Sequence, residues 1–221
     1  MNAPLVKICG LRDAATAAAA ARLAADWFGF VFAPSRRRVA PRDARAMIDA
    51  VREAGGHQKF AGVFVNPSLE ELSDTLAEAP LDAVQLHGTE TPEFIRAFRA
   101  AHPGVAVWKA LGVGGEEHGH AADRLAPYAG LLDALLLDTH DLHVGGGTGR
   151  TFRWEAIPPY AEWAADEAIP LFVAGGLHAG NVGDLVESYR PGGVDVSSGV
   201  ETDGVKDLQK IRDFVRKVKT S

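Results

Sequence analysis

The chain has 221 residues, 47% of them hydrophobic and 24% charged, with a net charge of −6 at pH 7 when histidine is neutral. That balance belongs to a folded globular protein rather than a disordered one. The acidic excess excludes general nucleic-acid binding, because phosphate backbones are held by clustered Lys and Arg. Cys9 is the only cysteine, so no intramolecular disulfide is possible and a reducing, cytoplasmic compartment is expected. Lys7 and Arg12 interrupt the N-terminal residues before an apolar targeting segment builds up. The most apolar stretches, Ala14 to Ala21 and Leu131 to Leu137, fall well short of the ~18 residues that a membrane span needs.

Along the chain, short apolar, β-branched or aromatic runs alternate with longer amphipathic stretches. The runs predict strands at Leu5–Cys9, Phe28–Phe32, Phe60–Val65, Ala83–Leu86, Ala106–Ala110, Ala134–Leu137, Leu171–Ala174 and Val194–Val196. Helices are predicted between and after them near residues 13–25, 42–54, 68–78, 92–101, 119–129, 154–166, 179–188 and 206–219. Start signals support three of these: Pro41 in the second, Asn66-Pro67-Ser68 before the third and Thr91-Pro92-Glu93 opening the fourth. Eight such pairs average about 28 residues each, near the size of a minimal βαβ unit. Near-continuous apolar strands fit a parallel sheet covered on both faces. With no GxGxxG and no strand left over, the pattern predicts one domain over residues 1–221, a single (β/α)8 TIM barrel, ahead of a doubly wound open sheet.

Reactive groups of such a barrel gather where strands end. The strand ends here carry Cys9-Gly10, Pro34-Ser35-Arg36-Arg37, Asn66, His87-Gly88, Lys109, Asp138-Thr139, Gly175-Gly176 and Ser197-Ser198-Gly199. Gly175-Gly176 and Ser197-Ser198-Gly199 follow strands seven and eight, where barrels often hold a phosphate on close backbone and helix N-termini. Gly145 to Thr151 is a third glycine-rich segment, including Gly147, Gly149 and Arg150. Its composition suits a lid that closes over a ligand.

Cys9 and Lys7 alternate onto the same face of the first strand, so the Lys7 charge is expected to lower the proton affinity of the thiol. Asp138 ends an apolar run that would desolvate it and favour its protonated form, as a general acid requires. A thiolate base and a carboxylic acid on opposite sides of a barrel mouth make a proton-transfer pair. Arg36-Arg37-Arg38 is too short a run for nucleic acid, but one guanidinium can hold a substrate carboxylate. His118, His120, His140 and His143 lack the framework of a metal site, and His87 is read as a wall residue rather than a base.

At this point the strand ends resemble one family. Lys7-Ile8-Cys9-Gly10, Gly62-Val63-Phe64-Val65-Asn66, Val84-Gln85-Leu86-His87-Gly88, Leu137-Asp138-Thr139, Gly146-Gly147-Thr148-Gly149, Ala174-Gly175-Gly176-Leu177 and Asp195-Val196-Ser197-Ser198-Gly199-Val200-Glu201 look like phosphoribosylanthranilate isomerase. They run in order over nearly the whole chain. The resemblance implies a cofactor-free and metal-free Amadori rearrangement of N-(5-phosphoribosyl)anthranilate in tryptophan biosynthesis. It implies Cys9 as general base and Asp138 as general acid. Arg37 matches the carboxylate ligand by its spacing between Ser35 and Val39, with Arg36 the alternative. Lys7, Gly147, Gly149, Gly175, Gly176, Ser197, Ser198 and Gly199 complete the expected substrate-binding set. The expected partner is this small phosphosugar substrate, with no nucleic acid, membrane or obligate protein. Rival readings are another phosphosugar-barrel isomerase or epimerase and a non-catalytic phosphate-binding barrel.

Overall fold

The computed structural model describes residues 3–113, 121–138 and 154–221. Every predicted strand forms within one or two residues of its expected ends: β1 (Leu5–Cys9), β2 (Trp27–Val31), β3 (Lys59–Phe64), β4 (Ala83–Leu86), β5 (Ala106–Gly112), β6 (Ala134–Asp138), β7 (Leu171–Val173) and β8 (Gly193–Val196). They pair in parallel and in sequence order into a closed barrel, sealed where β8 returns to β1 with Lys7 opposite Asp195. The helices α1 (Ala14–Ala20), α2 (Pro41–Glu53), α3 (Leu69–Glu78), α4 (Pro92–Ala101), α5 (Ala121–Leu125), α6 (Ile157–Asp166), α7 (Val182–Tyr189) and α8 (Leu208–Thr220) follow their strands. No helix among the described residues is long and apolar enough to cross a membrane.

The predicted start signals act as caps. Ser68 accepts a hydrogen bond from the Glu71 amide, Thr91 from Phe94, and Pro41 and Pro92 take the first positions of α2 and α4, where a missing N–H costs nothing. The fifth helix is shorter than predicted. It stops at Leu125 and tightens into a 3-10 turn at Ala126–Tyr128, because Pro127 has no N–H to continue the ladder. An unpredicted hairpin follows β8, with β9 (Glu201–Thr202) pairing antiparallel to β10 (Val205–Lys206). Asp203 and Gly204 form its turn with φ of 51° and 77°, the positive-φ geometry for which Asp-Gly is suited.

Alternation along the strands divides the core in two. Leu135 and Leu137 pack outward with the helices, whereas Ala134 and Leu136 join Trp27, Ala61, Ala83, Trp108, Ala110, Phe172 and Ala174 inside the barrel. Trp108 is the hub of the lower plug, with ring centroids 4.6 Å from those of both Trp27 and Phe172. Around the same end, one device recurs before β2, β4 and β6. Asp26, Asp82 and Asp133 each accept from an amide of the preceding strand (Val6, Phe60 and Val107, at 2.7, 2.7 and 2.8 Å). Each also donates its own amide to that residue's carbonyl. A side chain thus extends the ladder by one bond where the strand begins. The aromatic plug and the carboxylate clamps close the bottom of the barrel and leave the other end for chemistry.

Candidate active site

Cys9 is the last residue of β1 and is buried. Lys7, two residues earlier, has no exposed surface, and its ammonium lies 3.0 Å from Asp195 Oδ2 on β8. Opposite Cys9 in the register stands Gly29 of β2. A Cβ placed on Gly29 would come within 2.9 Å of Cys9 Sγ and 3.1 Å of Lys7 Nζ. The thiol and the ammonium therefore share the space that this missing side chain leaves. Lys7 donates to Asp195 and stands within electrostatic range of Cys9. Burial pushes the Cys9 thiol up, and it outweighs the opposing pull of Lys7, with Asp195 adding to the rise. Lys7 thus pulls the thiol down as expected, and the net direction is still upward because the whole group is desolvated and the lysine charge is shared with a carboxylate.

Asp138 ends β6 and keeps 15% of its side chain exposed, so it reaches the mouth. His87 Nε2 lies 3.6 Å from Asp138 Oδ2. Burial lowers the proton affinity of His87, overriding the attraction of Asp138, so the ring is neutral near pH 7. Asp195 stands within electrostatic range of both Lys7 and Asp138, which places the β1 and β6 groups around one mouth.

A second charged cluster sits beside the first. Glu201 holds Arg37 in a side-on fork, Nε to Oε1 at 2.7 Å and Nη2 to Oε2 at 2.9 Å. Lys206 meets the same carboxylate at 2.9 Å and donates to the Ser197 carbonyl, while Ser197 Oγ donates to the Cys9 carbonyl. Burial pushes Glu201 up, but hydrogen bonds from Arg37 and Lys206 prevail and hold it at about 2. Arg37 also crosses Gly10, whose φ of +81° and lack of Cβ leave room for the Arg37 Cδ. Because the fork uses only Nε and Nη2, the end edge of the guanidinium is left to a planar anion. Arg36 also meets Glu201, Nη2 to Oε2 at 3.2 Å, from a side chain 64% exposed against 18% for Arg37.

Gly175 and Gly176 both have positive φ, 88° and 64°. Gly199 packs directly on the Leu177 carbonyl, where a Cβ would collide, so the loops after β7 and β8 touch. Ser198 and Gly199 begin a single 3-10 turn. Among the described residues there is no cluster of three or more His, Cys, Asp or Glu side chains spaced for a metal ion.

The family model described as N-(5′-phosphoribosyl)anthranilate isomerase matches residues 6–217. This chain belongs to that family. It is 50% identical over 214 residues to the N-(5′-phosphoribosyl)anthranilate isomerase of Brevibacillus brevis, covering 97% of this chain and 93% of the relative. The Desulforudis audaxviator isomerase is 43% identical over 212 residues, with 96% of each chain covered. The crystal structure of phosphoribosyl anthranilate isomerase from Thermotoga maritima superposes with a TM-score of 0.82 at 36% identity, covering 99% of this chain and all of that one. A further structure of a family member, bound to reduced 1-(o-carboxyphenylamino)-1-deoxyribulose 5-phosphate, gives a TM-score of 0.79 at 34% identity over 99% of this chain and all of that one.

Within the family frame, Cys9, Asp138, Arg37, Gly175, Gly176, Ser197, Ser198 and Gly199 gather at the C-terminal mouth of the barrel. Lys7 has no exposed surface and lies between Asp195 and the recess that it shares with Cys9. Gly147, Gly149 and Arg150, and the histidines at 118, 120, 140 and 143, lie outside the described residues. Sequence reading missed the roles of Asp195, Glu201 and Lys206. The usable signal for the last two was Asp203-Gly204, a hairpin turn that folds Lys206 back onto Glu201.

Proposed function

We propose that this chain rearranges N-(5′-phosphoribosyl)anthranilate to 1-(2-carboxyphenylamino)-1-deoxyribulose 5-phosphate, a step of tryptophan biosynthesis, with Cys9 as base and Asp138 as acid. The observation that carries the assignment is their placement: a buried thiol ending β1 and a partly exposed carboxyl ending β6 around the same mouth. Asp138 donates a proton to the ribose ring oxygen as the C1′–O bond breaks. The anthranilate nitrogen supplies its lone pair and becomes a Schiff base cation. The Cys9 thiolate then takes the C2′ proton, and the electrons of that bond form C1′=C2′ while the nitrogen is neutralised. The enolamine gains a proton at C1′ and loses its hydroxyl proton, leaving the ketone at C2′. C1′ is reduced as C2′ is oxidised, so the reaction balances within one molecule.

Two anionic ends of the substrate fix its orientation in a protein of net charge −6. The open edge of Arg37 takes the anthranilate carboxylate, and the Gly175-Gly176 and Ser197-Ser198-Gly199 loops take the phosphate. Burial serves the base in one respect: a thiolate that holds protons more tightly is a stronger base toward C2′. A reducing cytoplasm keeps that thiol free, and one barrel domain suffices for the step.

Loss of substrate fluorescence in the presence of purified protein tests the reading. Wild type turns over, and Cys9→Ala and Asp138→Asn each lose about 10²–10⁴-fold in kcat. Arg37→Ala raises KM more than it lowers kcat. A folded Cys9→Ala variant with full turnover would remove Cys9 from the chemistry, and an inactive, folded wild type would remove the reaction.

A further inference from the structure

Lys7 and Asp195 form a fully enclosed ion pair one strand position below the reacting groups. Lys7 has no exposed surface and Asp195 has 7%. Asp195 Oδ2 holds Lys7 at 3.0 Å, and its buried Oδ1 meets no hydrogen-bond donor among the described residues. Burying two charges this way is costly, and an apolar pair of similar volume usually serves stability as well or better. The plug immediately beneath, built from Trp27, Trp108 and Phe172, fills the adjoining part of the barrel interior with apolar rings alone. The pair therefore has another use, and its one other polar neighbour on β1 is the Cys9 thiol, which shares the Gly29 recess with the Lys7 ammonium.

We propose that Asp195 is a positioning residue for the isomerisation: by holding Lys7 between two anions, it sets how much of the lysine charge reaches Cys9. The proposal rests on the assignment of Cys9 as the base. With Asp195 in place, Lys7 is shared, and the thiol keeps its proton until the pH is well above neutral. With Asp195 neutralised, the full ammonium charge falls to the Cys9 thiolate. The thiol would then ionise more easily and be a weaker base. Other charges around Cys9 are Lys206 of β10, with Arg37 and Glu201 behind it, and Asp138 and His87 across the mouth. The Gly29 side of β2 contributes none. Glu201 offsets part of the charge of Arg37 and Lys206, and Lys206 pulls on the thiol less than Lys7 does.

The single cysteine makes the test specific. Thiolate absorbance at 240 nm is titrated in each protein, and the same protein carrying Cys9→Ser is subtracted to remove tyrosine. Asp195→Asn should move the midpoint to lower pH, raising the thiolate fraction at pH 8 by about tenfold. Lys7→Met should move it to higher pH. In kcat/KM, the acidic limb should follow the thiol in both variants, while KM for substrate changes little. Opposite displacements by two variants of one pair cannot come from loosened packing, which would move both the same way. Unchanged midpoints, or midpoints displaced together, overturn the proposal. If Asp195→Asn does not fold, Asp195→Ser takes its place, and its midpoint is compared with that of Lys7→Met in the same way. The absorbance readout does not require turnover, so the proposal can fail while Cys9 remains the base. Conversely, an active Cys9→Ala enzyme with displaced midpoints would fault the base assignment alone.

Discussion

The two ends of this barrel are made from the same eight strands and follow opposite rules. At the bottom, three aromatic rings fill the interior and three aspartates complete the hydrogen bonding of strand starts. At the top, a lysine, an aspartate and a cysteine are buried together, one carboxylate oxygen has no donor among the described residues, and glycines leave gaps that side chains of other strands occupy. The bottom minimises free energy, whereas the top retains polar groups that a packed core would exclude. The division separates stability from activity by a few strand positions.

Substitutions can break that division. Phe172→Ala, in the plug, should cost about 3–5 kcal/mol of stability and leave kcat of the folded fraction unchanged, as chemical denaturation beside turnover would show. The double variant Lys7→Met with Asp195→Leu should do the reverse. Its turnover falls sharply, while its stability holds or rises by about 1–4 kcal/mol. Loss of folding in this variant would mean that the upper pair is part of the scaffold after all. Asp82→Ala removes one clamp and leaves the Phe60 amide without its carboxylate, costing about 1–3 kcal/mol and no activity.

The smallest effect sharpens the comparison through pH. Glu201 is held at about 2 against an ordinary 4.5, so its contribution to stability is complete above the ordinary value and fades as pH falls from 4.5 through 2. Wild type should exceed Glu201→Gln in stability at pH 6, and the gap should close across that acid window. A constant gap would show that the glutamate acts through packing alone.

Much of this was legible in the sequence, and the reason is visible residue by residue. Leu135-Leu136-Leu137 reads as a strand because both sheet faces are covered, and Ser68 and Thr91 read as caps because their side chains replace a missing helix bond. Cys9 and Asp138 could be assigned to one mouth from sequence because strand ends of a barrel share one face. The sign of the net effect on Cys9 was not legible, since it depends on Asp195, which is 188 residues away along the chain from Lys7 and adjacent only after the barrel closes. Arg37 and Arg36 were inseparable by spacing, and in the fold both meet Glu201, Arg37 through a two-bond fork and Arg36 through one bond from a far more exposed side chain. The early end of α5 was written in Pro127 and outweighed by a favourable helical pattern on either side.

Lys219 near the end of α8 donates to the Pro4 carbonyl at 2.9 Å and to the Asp26 clamp at 2.8 Å. The first strand and the last helix are thereby stitched together on the face opposite the chemistry. A short linker can splice the ends, and new ends can be opened in an exposed connection on that same lower face. Circular permutation of this kind would leave the mouth intact, and a fluorescent reporter or surface tether attached after α8 would start on the face away from entering substrate.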